Sequence, residues 1–213
     1  MRIDLICLTL RLMNIILASQ SPRRLSLLQA AGFVVQLFPS HIDESALENE
    51  STQAMTLRLC QEKAAAYQYA QNELLPVIAA DTLVAVDNHA LGQPKDLIEA
   101  KRMIQTLSGK EHQVYTAVCV RLGEIYKSIL VSTFVRFREI ADAEIDVYLQ
   151  HNDILDKAGG YAIQGGASSF ITGIEGALDN VIGLPVWQTK LLVQEVLLEA
   201  AEPTEELVIG VES

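Results

Sequence analysis

Cysteine is scarce in this chain, and its three copies, Cys7, Cys60 and Cys119, form no CxxC pair. An odd count without close spacing excludes a disulfide framework and a cysteine zinc site, and it fits a reducing cytoplasm. Cations are outnumbered as well: 16 Lys and Arg against 27 Asp and Glu leave a formal net charge of -11. Nonspecific grip on nucleic acid or an anionic membrane depends on a basic surface that neutralises phosphates, so neither is expected as a partner. A small anionic ligand would need a local basic pocket instead. Long apolar runs are also missing. Leu5 to Leu10 opens the chain, but Asp4 and Arg11 bound it too closely for a signal segment or a membrane span. Absent too are the GxxxxGK(S/T) phosphate loop, the GxGxxG dinucleotide turn, the GxSxG nucleophile elbow and the HExxH zinc motif.

What is present suits a folded enzyme, since half of the 213 residues are hydrophobic and can bury a real core. Asn14 to Ala18 and Phe33 to Phe38 read as strands, and Ser51 caps a helix running to about Gln71. Pro76 to Ala80 and Leu83 to Val86 are apolar runs interrupted by Asp81-Thr82, and Asp87-Asn88-His89 is a turn. Asp96 starts a helix that ends at Gly109. His112 to Leu122 and Glu124 to Arg138, joined at Gly123, form a long β-hairpin. Asp142 caps a helix to about His151, Tyr161 to Gln164 and Ser169 to Ile174 are short strands, and Pro185 to Ala200 is a closing amphipathic helix. The alternation predicts an α/β fold, a mixed β-sheet flanked by helices with the β-hairpin in its second half. Met1 to Leu12 reads as an extension, residues 13–200 as a single domain of two lobes around a cleft, and residues 201–213 as a flexible acidic tail.

The chain is organised around Leu17-Ala18-Ser19-Gln20-Ser21-Pro22-Arg23-Arg24. Ser21 is an N-cap residue, Pro22 fits the first helical position and Gly32 stands where the helix would stop. Two arginines in the first turn are repelled by the partial positive charge of a helix start, and an anion would relieve that. Free backbone N–H groups, the hydroxyls of Ser19 and Ser21 and two guanidiniums make a phosphate cradle. The same spacing also suits two solvated surface arginines. Downstream, Asp81 sits in an apolar context where a carboxylate needs a partner, which favours a site residue over a capped turn. His41, His89 and His151 read as surface residues, and His112 as structural.

The Ser-x-Ser-Pro-Arg-Arg stretch resembles the opening signature of the Maf family of nucleoside triphosphate pyrophosphatases, whose fold is of the Maf/ITPase-like type. Similar blocks follow in that family's order: Glu62-Lys63-Ala64, Ala80-Asp81-Thr82, Leu91-Gly92-Gln93-Pro94-Lys95-Asp96, Leu107-Ser108-Gly109, His112 to Thr116, Asp156 to Gly165, Ile174-Glu175-Gly176 and Asn180 to Pro185. The likeness spans roughly Met13 to Ala200. It implies catalytic roles for Ser19, Arg24, Glu44, Lys63 and Asp81, with Asp81 as general base, and phosphate contacts from Ser21, Arg24, Lys63 and Lys95. Glu44 and Asp81 would hold a divalent cation, magnesium or manganese, since hard oxygen ligands suit such ions. A homodimer is expected by resemblance alone. Arg23, Thr82 and Gln164 match the specificity set of the dTTP/UTP type, in contrast to a type acting on 7-methyl-GTP. A Gln amide pairs sensibly with uracil or thymine, because it donates to a carbonyl and accepts from the ring N3–H at once.

Two positions depart from the family pattern. Gln93 stands where the family commonly has Lys, so either Lys95 substitutes or a phosphate contact is weaker. Ala117 replaces a usual Gly, a change of one methyl expected to affect packing only. A pyrophosphatase giving the nucleoside monophosphate and pyrophosphate is the leading expectation. A nucleotide-binding regulator and a general phosphatase are the competing ones.

Overall fold

The computed structural model describes residues 12–70, 74–87 and 89–202. Met1 to Arg11, with Cys7, and residues 203–213 of the acidic tail lie outside them, as does Asn88 of the expected turn. The sheet comprises β1 (Asn14–Leu17), β2 (Val34–Leu37), β3 (Val77–Val86), β4 (His89–Leu91), β5 (Glu111–Leu122), β6 (Ile125–Phe137) and β7 (Ile171–Glu175). Six strands run in the order β2-β1-β3-β5-β6-β7, and β4 pairs with β3. The β2, β1 and β3 strands are parallel to one another, and the remaining pairs are antiparallel. A mixed sheet is what the sequence predicts.

One strand places the site. β3 is the near-continuous apolar run VIAADTLVAV, buried on both faces as a central strand must be. The sequence predicts a break at Asp81-Thr82, but the strand continues through both residues, because their side chains find polar partners and the ladder with β5 is unbroken from Val77 to Ala85. On its other edge, β3 has two neighbours in succession. β1 pairs with it at Val77 and Ile78, and β4 at Val84 to Val86. Ala79 to Leu83 lie between them with no strand on that edge among the described residues. Asp81 and Thr82 therefore stand at a gap in the sheet.

The period-two alternation of strands then sends these neighbours to opposite faces. Ile16, Val77, Ala79, Ala117 and Cys119 pack with Cys60 and Ala64 of helix α2 (Thr52–Ala65). Ala117, the departure from Gly, is fully buried in this layer. Ile15, Leu17, Ile78, Ala80, Val118 and Val120 pack with Leu28 of α1 (Pro22–Ala30) and Val193 of the closing helix. Asp81 shares the parity of Val77 and Ala79, and Thr82 that of Ile78 and Ala80. A third core lies in the second half, where α3 (Leu97–Leu107) and α4 (Asp142–His151) pack with Val114, Val135 and Phe137. A short helix α5 (Leu178–Ile182) precedes α6 (Val186–Ala201).

Several boundaries moved for identifiable reasons. α2 stops at Ala65 instead of about Gln71, because Arg121 donates to the carbonyls of Ala64, Ala65 and Tyr67 at 3.5, 3.3 and 2.9 Å. These bonds satisfy helix-end carbonyls from a distant strand. Asp142 is the first residue of α4 and Ala141 is its cap. Tyr161 to Gln164 form no strand: a 3₁₀ turn at Ala158–Gly160 runs into further turns, and Gly159 there has φ of 72°. The hairpin turn at Gly123 (φ 60°) and the Ser21 cap of α1 match the expectation.

Candidate active site

A cavity of about 370 Å³ opens at the gap in the sheet. The start of α1 brings Ser21, Arg23 and Arg24 to it, α2 brings Lys63 and β3 brings Asp81 and Thr82. The loop before α2 adds Glu44, and the turns after α4 add Asp156, Lys157 and Gln164. Four cations thus face three carboxylates in a chain whose overall charge is strongly negative. That is the local basic pocket an anionic ligand needs. Both arginines are half-buried, which rules out their reading as solvated surface charges.

Lys63 is the hub of the acidic side. It is 7 % exposed, and its Nζ lies 2.6 Å from Asp81 Oδ1 and 2.8 Å from Glu44 Oε1. Asp81 is 5 % exposed, and its second oxygen, Oδ2, is buried with no hydrogen-bond partner. A buried carboxylate oxygen left without a donor costs free energy unless a ligand completes it. Arg24 anchors the other side. Its Nε donates to Gly183 O at 2.8 Å, Nη1 to Ser19 Oγ at 3.1 Å and Nη2 to Thr82 Oγ1 at 3.0 Å. Burial pulls its pKa below the ordinary arginine value, while the Asp81 charge pulls it back up.

Ser19 does not line the cavity. It acts from behind, its Oγ accepting from Arg24 and from the Ser21 N–H at 3.1 Å. Arg23 does line the cavity, and its Nε and Nη1 are buried without partners. Gln164 is exposed at the rim, and its amide makes no hydrogen bond among the described residues. Lys95 is not brought in: it is exposed, and its backbone N–H is held by Glu99 at 2.6 Å, whereas Gln93 faces the cavity. Lys157 and its ion-pair partner Asp156 are lining residues to which the sequence motifs assign no role. The signal was a Lys beside an Asp in a glycine-rich block.

Two groups close off other chemistries. Cys60 is buried and burial pushes its thiol well up, so no thiolate nucleophile is available there. His112 is core, as the sequence suggested. Its Nε2 bonds the Tyr161 hydroxyl at 2.9 Å behind the cavity wall, and its ring meets Phe137 edge-on. Burial lowers its pKa to about 4, against 6.5 unperturbed. The sign is destabilising in acid, because the unfolded chain binds a proton that the folded His112 refuses. Stability should be unaffected above about pH 6.5 and fall by on the order of 3 kcal/mol between there and pH 4. Urea denaturation at pH 7, 5.5 and 4.5 checks this. A His112→Phe variant should lose that part of the pH slope, and an unchanged slope would assign it to other groups.

With this geometry in hand, residues 14–196 match the family described as Maf-like protein. A dTTP/UTP pyrophosphatase of Anaeromyxobacter sp. is 42 % identical over 186 residues, covering 85 % of this chain and 88 % of that protein. One from Pseudoalteromonas atlantica is 40 % identical over 189 residues, covering 86 % of this chain and 97 % of its own length. The solved structure of a nucleoside-triphosphatase / dITP/XTP pyrophosphatase from Mycobacterium abscessus superposes with a TM-score of 0.40 at 15 % identity, over 90 % of this chain and 100 % of that one.

Proposed function

Because this chain belongs to the Maf family, we propose that it hydrolyses dTTP and UTP to the nucleoside monophosphate and pyrophosphate. One observation carries the reading: Arg24, Lys63, Glu44 and Asp81 converge on the same cavity as Arg23, Thr82 and Gln164. Charge-stabilising groups and base-reading groups thereby meet in one site, in a chain about 40 % identical to proteins named for that activity.

Cleaving the bond between the α- and β-phosphates adds water, and charge builds on the departing pyrophosphate. Arg24 and Lys63 face that charge, and fixed cations in a partly dry site stabilise it more than water does. In this reading Asp81 takes the proton of the attacking water; the support is that Lys63 holds its Oδ1 while its buried Oδ2 has no hydrogen-bond partner. Glu44 and Asp81 also fit a divalent cation, magnesium or manganese. Their oxygens are hard ligands on one cavity, and Asp81 Oδ2 has no other partner. When bound, such an ion offsets phosphate charge and acidifies coordinated water.

The deciding assay measures both phosphate products from purified protein. Pyrophosphate release that stops on chelation and returns with magnesium is expected. Orthophosphate as first product would indicate a general phosphatase, and binding without turnover a regulator. Arg24→Ala or Lys63→Ala should each lower kcat/KM by on the order of 2 kcal/mol, about thirtyfold, since a charge-assisted contact is lost. A change under about threefold in either variant would remove that residue from phosphate handling. We further place the enzyme in the cytoplasm as a homodimer. No helix of the described residues is long and apolar enough to cross a membrane. Light scattering at the monomer mass alone would refute the dimer.

A further inference from the structure

Arg24 belongs to a closed ring of hydrogen bonds. Its Nη2 donates to Thr82 Oγ1 at 3.0 Å, Thr82 Oγ1 meets Thr116 Oγ1 at 3.0 Å, and Thr116 Oγ1 donates to Asn180 O at 2.9 Å. Asn180 O also accepts the Gly183 N–H at 3.1 Å, and Gly183 O accepts from Arg24 Nε at 2.8 Å, which closes the ring. Chemistry allows one direction only. Arginine donates and never accepts, and backbone carbonyls accept and never donate. Thr116 must therefore spend its proton on Asn180 O, so the Thr82 hydroxyl must give its proton to Thr116 and accept from Arg24.

The anchor for this ring is buried and hydrogen-bonded from several sides. Thr116 and Asn180 are fully buried, and Asn180 Nδ2 donates to Val114 O and to Thr133 Oγ1, both at 3.0 Å. Its backbone N–H is held by Asp179 Oδ1 at 2.9 Å, while Asp179 Oδ2 takes the Val186 N–H at 2.8 Å. Gly183 has φ of 119°, and a Cβ there would lie 3.5 Å from Thr82 Oγ1 and 3.7 Å from Arg24 Nε. Glycine supplies the backbone angle that aims its carbonyl at the guanidinium.

We infer that Thr116, through Thr82 and the Asn180–Gly183 turn, is a positioning residue that fixes the plane of the Arg24 guanidinium. Thr82 then acts on the site through Arg24, and toward the base its hydroxyl can only accept, because its proton is already committed to Thr116. The inference rests on the reading of the cavity as a triphosphate site, but the ring exists independently of it.

Two variants separate positioning from packing. Thr116→Val keeps the shape and removes the hydroxyl, whereas Thr116→Ser keeps the hydroxyl and removes a buried methyl. With UTP and magnesium, the Val variant should lose about tenfold or more in kcat with little change in KM, since misaligning a charge-stabilising group acts on the transition state. The Ser variant should stay within roughly threefold of the parent, although it has lost a buried methyl and its thermal midpoint should drop. Nitrogen-15 relaxation of the Arg24 Nε–H should show an ordered side chain in the parent and the Ser variant, and a mobile one in the Val variant. If the Val variant does not fold, Thr116→Ala takes its place in both measurements. Parent-like kcat in the Val variant would overturn the inference, as would equal losses in Val and Ser, or lost turnover with Arg24 Nε still ordered. A parent protein without pyrophosphatase activity would refute the proposed function, and the relaxation data would still decide the ring.

Discussion

Asp81→Asn is expected to lower kcat by about 10² to 10⁴, the range for removing a positioned general base. The change is isosteric, and Lys63 keeps Glu44 as a partner at 2.8 Å, so its ammonium is not left as an unpaired buried charge. Stability should therefore fall by less than the 3–5 kcal/mol typical of breaking a buried pair outright. KM should change little, because an amide still fits beside Lys63 while the proton acceptor is gone. Pyrophosphate release measured with saturating UTP and magnesium tests this directly. A normal kcat under those conditions would remove Asp81 from the mechanism.

The second large effect is on base choice: UTP and dTTP should be hydrolysed roughly 10- to 100-fold faster than CTP and dCTP. Uracil offers a carbonyl at C4 and a protonated N3, and cytosine reverses both. If the Gln164 amide were clamped, mismatched donors and acceptors would support discrimination of about 10⁴. It is not clamped: it is exposed and makes no hydrogen bond among the described residues, so it can turn over to suit either base. The firmer contribution comes from Arg23, whose buried Nε and Nη1 need an acceptor. Presenting an amino group to such a donor costs about 1–3 kcal/mol, which sets the expected range. Thymine and uracil differ by one methyl, worth about 1–3 kcal/mol at most. Initial rates across the common ribo- and deoxynucleoside triphosphates and 7-methyl-GTP test the assignment. Equal rates on UTP and CTP, or a preference for 7-methyl-GTP, would break it.

Much of this site could be read from the sequence because its parts carry local signals. A Ser cap followed by Pro-Arg-Arg specifies a helix start whose charge asks for an anion, and a carboxylate inside an apolar run asks for a partner. Lys63 answered from a helix 18 residues away. What escaped was set by contacts that leave no local trace. The end of α2 depends on Arg121 in a distant strand. Tyr161 to Gln164 have a plausible strand composition, but Gly159 and Gly160 both take positive φ and the segment turns instead. Lys95 stands two residues from Gln93 yet does not line the cavity, because the chain is already turning into the cap of α3 there. The ring around Arg24 was invisible for a simpler reason. Two of its members are backbone carbonyls, which every residue has.

The span of that ring also bears on how the protein is made. Arg24 and Gly183 are separated by 159 positions, and Thr82 and Thr116 are added in between. Chains leave the ribosome N-terminus first, at about 5–20 residues per second. Arg24, Glu44, Lys63 and Asp81 are thus all synthesised well before the turn that orients the arginine. A chain that ends between Lys157 and Gly183 holds every acid and cation of the cleft but lacks the acceptor for Arg24 Nε. Turnover is in this way tied to completion of the C-terminal third, and fragments carry the groups without the alignment.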